Sequence, residues 1–280
     1  MKVVGLMRVR NEEDIIQDTL IHLSEFCQEI YVYDDCSEDN TLDILRTHPK
    51  VFEIIENRKW SQERSAFKQG TQRQAILDLA KKRTYADWFI YMDCDERFEE
   101  RFNHDFPKLL RNPDIDVYVL SLFDFYITPE DINKSYYERE WVGLEFRKIP
   151  FLFRNIDGIY FKRGGERLVR GFIKERVCFS DYKVKHYGFA TSLKDFERKK
   201  EFYTNVMLLK NKWRRRQEGV RKDHTSFWGT PLIKWDDLIK KDWVINPGVI
   251  NPSKYEYRCL NEGDYLDGSD FYKKQYDKNS

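Results

Sequence analysis

Long hydrophobic runs are missing from this sequence of 280 residues. No stretch approaches the ~18 apolar residues that cross a bilayer. The apolar run at residues 3–7, followed by Arg8, Arg10 and three acids, is too short for the core of a secretory leader. A cytoplasmic protein is the expectation. Excess charge is also missing: Lys+Arg 49 against Asp+Glu 48 leaves a formal net charge of +1. A dedicated nucleic-acid binder carries a clear basic excess, so nucleic acid is not expected as a partner. The 5 cysteines form no CxxC pair and no zinc-like spacing with histidine. Scattered and odd in number, they read as reduced thiols. Glycine is absent between Arg8 and Glu12, where a phosphate-binding loop would follow a first strand. That absence counts against a dinucleotide-binding oxidoreductase and against a nucleotidyltransferase. Neither internal repeats nor low-complexity linkers are present.

What is there suits a sizeable core: 41% hydrophobic and 16% aromatic residues. The length allows one large α/β domain, or a core of roughly 200 residues with an elaborated tail. Residues 2–7 form a β-branched run. Asn11, Glu12, Glu13 and Asp14 then open a helix, with acids against its positive end. Ile15, Ile16, Leu20, Leu23 and Phe26 continue at helical spacing. Strands are expected at 29–33, 52–55 and 88–92, with a short helix after Asn40 and a long one over 63–82. Strands alternating with helices imply parallel crossovers and an open α/β sheet. Beyond residue 110 the pattern turns aromatic and strand-like at 117–127, 145–154 and 159–162, with a turn at Gly164-Gly165. It becomes helical and basic over 192–217. The expected division is a domain over 1–217, in halves 1–110 and 111–217, with an appendage over 218–280.

In such sheets ligands bind beyond the carboxyl ends of the strands. Two acidic pairs fall there: Asp34-Asp35 after the second strand, and Asp93-Cys94-Asp95 after the apolar run Trp88-Phe89-Ile90-Tyr91-Met92. Two carboxylates two residues apart can share one divalent cation, or divide a cation and a sugar hydroxyl between them. Hard oxygen ligands of this kind suit Mg²⁺ or Mn²⁺. So much acid in one crevice calls for a cation and basic side chains. Ser37 or Asp39 is adequately explained as turn and cap chemistry.

The segments Arg10-Asn11-Glu12-Glu13, residues 33–41 (YDDCSEDNT), Gln72-Arg73-Gln74-Ala75 and Tyr91-Met92-Asp93-Cys94-Asp95-Glu96 together resemble glycosyltransferase family 2. This is the GT-A fold group of mostly inverting enzymes. The likeness is greatest to the small bacterial lipopolysaccharide-core type, which reads Asp-Ala-Asp-Glu where this chain has Asp-Cys-Asp-Glu. The resemblance implies a GT-A sheet with a smaller mixed acceptor-side sheet and a helical or irregular C-terminal appendage. It implies a nucleotide-sugar donor, most often a UDP-sugar, and Mn²⁺ or Mg²⁺ as cofactor. Arg8, Arg10, Asn11 and Glu13 would line base and ribose, Asp35 or Asp34 would bind the base, and Arg73 would lie near the diphosphate. Asp93 would approach ribose or sugar, Asp95 would ligate the metal, and Glu96 would either bond the donor sugar or cap the next segment.

Two downstream matches are looser. Gly165-Glu166-Arg167-Leu168 resembles the family's His-Glu-x-Leu with glycine in place of histidine, making Glu166 the candidate base, with Asp157 and Glu145 as alternates. A competing reading pairs Glu166 with Arg167 or Arg163 on the surface. His186-Tyr187-Gly188 resembles the family's His-Tyr segment, bringing His186 to the metal or the diphosphate; neutral imidazole suits Mn²⁺. The basic stretch 198–222 reads as an amphipathic helix with a solvated face. Alternatively it meets an anionic acceptor or, peripherally, a membrane surface. The mechanism so implied is a single inverting displacement by a glycan or other hydroxyl-bearing acceptor. Its rivals are a nucleotidyltransferase and a non-catalytic glycan-binding scaffold.

Overall fold

The computed structural model describes residues 1–60, 65–163, 167–206, 218–240 and 258–259, with 65–67, 206 and 258–259 described by backbone alone. The chain divides into two units, Met1–Leu120 with Ile149–Lys183, and Ser121–Lys148 with Val184–Ser280.

The first unit is an α/β sheet. Its strands are β1 (Val3–Val9), β2 (Glu29–Asp35), β3 (Val51–Asn57), β4 (Trp88–Tyr91) and β5 (Glu96–Phe98), with the unit's portions of β6 (Val117–Phe125), β7 (Trp141–Arg154) and β10 (Val177–His186). Their order is β3-β2-β1-β4-β7-β6-β10-β5. β1 runs parallel to β2 and β4, and β2 runs parallel to β3. β7 is antiparallel to β4, with Trp88 opposite Arg154. Strands covered on both faces must be apolar throughout, and Trp88, Phe89, Ile90 and Tyr91 are all fully buried. β3 sits at the edge of the sheet, and its Phe52 stays 58% exposed.

Helices α1 (Ile16–Ser24), α2 (Thr41–Thr47) and α3 (Ser65–Arg83) make the crossovers. α1 begins later than its acids suggest. The backbone N–H groups of Glu12 and Glu13 donate to Thr41 Oγ1 and Asp39 Oδ2, across to the next loop, instead of starting a regular helix. α4 (Glu100–Arg111) was not anticipated, although Phe102, Phe106, Leu109 and Leu110 are buried at helical spacing. It docks through an aromatic cluster: Phe98 stacks on Phe102 at 4.5 Å, and Phe26 meets Phe106 edge-on at 5.0 Å. Asp116, just ahead of β6, accepts from Arg154 at the end of β7 at 3.0 Å and from Arg176, just ahead of β10, at 2.5 Å. A two-stranded ribbon, β8 (Tyr160–Phe161) with β9 (Val169–Arg170), completes the unit.

The second unit contains the remaining portions of β6, β7 and β10, helix α5 (Leu193–Glu201), β11 (Ile233–Lys234) and α6 (Trp235–Lys240). β11 lies antiparallel to β7, and the two-residue strand Arg258–Cys259 lies parallel to it. Trp235 is buried against Phe125 and Phe123, while Tyr126, Phe196, Phe227 and Leu232 form a second cluster. Ser192 caps α5 by accepting from the Asp195 N–H at 3.0 Å. The helix continues as a π-helical turn, Phe202–Val206. Among the described residues no helix is long and apolar enough to cross a membrane.

Candidate functional site

The parallel order β2-β1-β4 brings three carboxyl ends side by side, carrying Asp34-Asp35, Arg8 and Asp93 respectively. β1 lies between the two acidic strands, which are therefore two strand spacings apart, about 10 Å. Arg8 occupies that gap. Its guanidinium donates to Asp35 Oδ2 at 3.1 Å and to Gln72 Oε1 at 2.5 Å. The adjacent aspartates, left as equals by their order in the chain, do different things. Asp34 turns inward, 1% exposed, and accepts from the Ser37 N–H at 3.0 Å, which fixes the loop. Burial pushes its carboxyl pKa up. Asp35 is as buried, but Lys68 at 2.9 Å, Asn57 at 2.9 Å and Arg8 surround it. Burial opposes its charge, yet these partners outweigh burial and hold its pKa below the ordinary value. Lys68, five residues ahead of the anticipated Arg73 on α3, had not been singled out.

The turn after β4 sorts its four residues by burial. Cys94 faces the core, its Sγ 3.7 Å from Met7 Sδ, and burial pushes its thiol pKa well up. Asp93 and Asp95 face outward, half-buried. Glu96 is buried and receives Arg167 through two bonds of 2.6 and 2.5 Å. Its Oε2 also accepts the Asp93 N–H at 2.9 Å, closing the turn. Arg167 is thereby committed inward. It lies over the Phe151 ring at 4.6 Å, with φ in the left-handed region at 45°.

A relay leads from α3 to the same turn. Arg73 Nε donates to the Tyr91 hydroxyl at 3.0 Å, and Tyr91 donates to Asp93 Oδ1 at 3.0 Å. Burial raises the Tyr91 phenol pKa, so it keeps the proton it donates. A second nitrogen of Arg73, NH1, is buried and finds no hydrogen-bond partner among the described residues. A buried cationic donor of this kind fits an anionic ligand such as a phosphate. Asp95 fits a hard divalent cation, being a half-exposed carboxylate at a strand end. Asp93 has one oxygen engaged by Tyr91, and Glu96 is held by Arg167.

The matched sequence model is that of glycosyl transferase family 2, over residues 6–165. The chain belongs to this family. Two curated relatives, uncharacterized proteins Mb3815c of Mycobacterium bovis and Rv3786c of Mycobacterium tuberculosis, are each 36% identical over 58 residues. The match covers 21% of this chain and spans only 14% of the length of each relative. Among solved structures, S. aureus TarS 1–349 in complex with UDP is 15% identical, covering 80% of this chain and 77% of that one, with a TM-score of 0.44. Glucosyl-3-phosphoglycerate synthase from Mycobacterium tuberculosis, in complex with Mn²⁺, UDP and glucosyl-3-phosphoglycerate, is 17% identical. It covers 48% of this chain and 47% of that one, with a TM-score of 0.29.

In this family 2 chain the loop after β1 is stitched to the loop after β2. Asn11, at φ 52°, donates its N–H to Ser37 Oγ at 2.9 Å, and its side-chain oxygen accepts the Glu38 N–H at 2.7 Å. Glu13 accepts from the Asn40 backbone and side chain at 3.1 and 2.8 Å. Asn11 and Glu13, expected to line the base and ribose, thus have structural employment in the loop. Arg10 lies over the Trp60 ring at 4.9 Å, and Lys68 lies over the same ring at 5.4 Å.

Three acids stand as candidates for the base. Glu166 lies outside the described residues. Asp157 is exposed beyond the end of β7 that pairs with the amino end of β4, across the sheet from Asp93 and Asp95. Glu145 is buried in the second unit, its Oε1 accepting from Ser226 at 2.9 Å and Thr230 at 2.5 Å. Burial pushes its pKa up. His186, also in the second unit, is 2.5 Å from Asp124 Oδ1 through Nδ1. The basic stretch is partly neutralised within its own helix: Lys199 and Arg198 pair with Asp195, and Lys200 with Glu197. Residues 207–217 of that stretch lie outside the described residues.

Proposed function

We propose that this family 2 chain transfers a sugar from a nucleotide-sugar donor, a UDP-sugar, to an acceptor hydroxyl by a single inverting displacement. Within the family we assign it to the lipopolysaccharide-core type, on its Asp-Cys-Asp-Glu turn. The observation that carries the reading is the half-buried pair Asp93 and Asp95 after β4, with Asp93 linked through Tyr91 to Arg73, whose buried NH1 has no partner among the described residues. That set offers a carboxylate for a cation, an oriented carboxylate for a hydroxyl, and a guanidinium for a diphosphate.

In this reading Arg73 binds the donor diphosphate, oriented by its bond to Tyr91. Asp93, with one oxygen held by Tyr91, uses the other toward ribose or sugar. Asp35 organises Arg8 and Lys68 at the base end of the site. Asp95 would hold Mn²⁺ or Mg²⁺, which would supply charge neutralisation for the departing diphosphate. Glu166 takes the proton of the attacking acceptor hydroxyl, a glycan hydroxyl being the acceptor of choice.

The test is UDP binding by calorimetry in wild type and Asp95→Asn, with Mn²⁺ and with EDTA. Wild type should bind more tightly with Mn²⁺. Asp95→Asn should lose that increment and all turnover while its thermal melt stays close to wild type. Full activity of the wild-type protein in EDTA would overturn the metal assignment.

A further inference from the structure

Tyr91 is the last residue of β4 and is fully buried. Its ring meets Phe161 edge-on at 5.5 Å. Two buried guanidinium groups also lie over it, Arg73 at 5.3 Å and Arg167 at 5.7 Å. A ring packed in this way has little freedom to turn, and its hydroxyl is held with it. That hydroxyl has Arg73 Nε at 3.0 Å on one side and Asp93 Oδ1 at 3.0 Å on the other.

The chemistry of the three groups fixes the direction of both bonds. A guanidinium can only donate, whereas a phenol has one proton and lone pairs to accept with. Arg73 is therefore the donor to the phenol oxygen, and the phenol's single proton goes to Asp93. Arg73 is 4% exposed, and its other acceptor is Gln69 Oε1, at 3.3 Å and one turn back along α3. Among the described residues, then, its hydrogen-bond acceptors are uncharged, and the nearest carboxylate is reached through Tyr91. One hydroxyl sets the aim of both a buried cation and a half-buried carboxylate.

We infer that Tyr91 is a positioning residue that couples Arg73 to Asp93, so that their two contacts with the donor strengthen or fail together. The inference rests on the proposed reading of Arg73 and Asp93 as donor ligands, and adds a dependence between them. Side chains aimed before a ligand arrives lose less freedom on binding it. Without the hydroxyl, Arg73 Nε and Asp93 Oδ1 would each lack this partner, and each group would have to be ordered separately.

The test is UDP binding by calorimetry in EDTA, where no cation enters the result. Tyr91→Phe keeps the ring and its packing and removes only the hydroxyl. Its UDP affinity should fall by roughly 10–100-fold, the worth of a hydrogen bond to a charged group. Arg73→Met and Asp93→Ala are then made singly and together. With Tyr91 present, the double variant should lose less affinity than the product of the two single losses, by about 2–100-fold. In the Tyr91→Phe background the two losses should simply multiply. A merely structural role for Tyr91 would weaken every variant alike and leave the coupling in place.

Wild-type affinity in Tyr91→Phe overturns the inference, as does a coupling that survives in that background. Losses that multiply with Tyr91 present also overturn it, and that cycle decides even if Tyr91→Phe fails to fold. Each of these results leaves the proposed function standing. If neither Arg73→Met nor Asp93→Ala weakens UDP binding, the reading of both as donor ligands falls, and this inference with it.

Discussion

Replacing Arg167 by Met should be among the most destabilising single changes in the chain, and by a mechanism other than lost packing. The Arg167 side chain is 4% exposed and that of Glu96 1%, with the two bonds at 2.6 and 2.5 Å. Burial penalises the guanidinium charge, but Glu96 and then Asp93 outweigh it and raise its pKa. Methionine keeps much of the length and the contact with Phe151 but strands the Glu96 carboxylate. Removing one partner of a buried pair costs about 3–5 kcal/mol. Against a total stability of about 5–15 kcal/mol, this leaves a folded but weakened protein. Glu96→Gln together with Arg167→Met removes both charges. Its loss should therefore be smaller than the sum of the single losses, by a coupling of about 0.5–3 kcal/mol. Arg167→Lys, which cannot reproduce the two-pronged bond, should fall between wild type and Arg167→Met. Urea denaturation followed by tryptophan fluorescence and far-UV dichroism measures all four. A loss within about 0.5 kcal/mol for Arg167→Met, the range of an unremarkable surface change, would refute the reasoning.

Three further outcomes are expected. Glu166→Gln should lower the turnover number by roughly 10²–10⁴ with little change in donor affinity; a variant keeping more than about a tenth of wild-type turnover removes Glu166 from the mechanism. No disulfide joins the described cysteines, and burial pushes the Cys27 thiol up to about 12 and that of Cys94 well up. A thiol reagent should accordingly leave both unmodified in native protein, modify Cys36 and Cys178, and find all 5 thiols after denaturation; native labelling of Cys94 would contradict this. Asp116 has its pKa lowered, by Arg176 first and then despite burial. Its contribution is present above the unfolded value of about 3.9 and lost as pH falls through the lower native value. Asp116→Asn should flatten acid destabilisation in that window, and an unchanged acid limb would argue against the ion pair.

The strand-end acids were legible in the sequence because two signals coincide there: an apolar run that stops, and carboxylates that follow it at once. The sheet was legible for the same reason, since strands buried on both faces carry little polar interruption. What stayed hidden depends on distance along the chain. Arg167 and Glu96 are 71 residues apart, and no periodicity connects them. Glu96 therefore read as a donor contact or a local cap, when its carboxylate holds a buried guanidinium and closes the turn through the Asp93 N–H. The difference between Asp34 and Asp35 is likewise decided elsewhere, by Ser37 on one side and by Lys68, Asn57 and Arg8 on the other. α4 carried a readable pattern in Phe102, Phe106, Leu109 and Leu110. It was masked by dense charge and by Pro107 within the helix.

The stitching between the loops after β1 and β2 bears on how such a chain can be re-engineered. Ser37 Oγ, Thr41 Oγ1 and Asp39 Oδ2 each accept a backbone N–H from residues 11–13, and Asn11 and Glu13 return the bonds. The two loops are a matched set, so grafting one from a homologue of different donor preference would leave donors and acceptors facing the wrong partners. Each orphaned polar group costs about 1–3 kcal/mol if it stays dry, and the left-handed backbone at Asn11 would lose its support. A chimera that swaps residues 8–15 and 34–41 together keeps both halves of the clasp. The two segments, distant in the gene, are therefore exchangeable in the fold only as a pair.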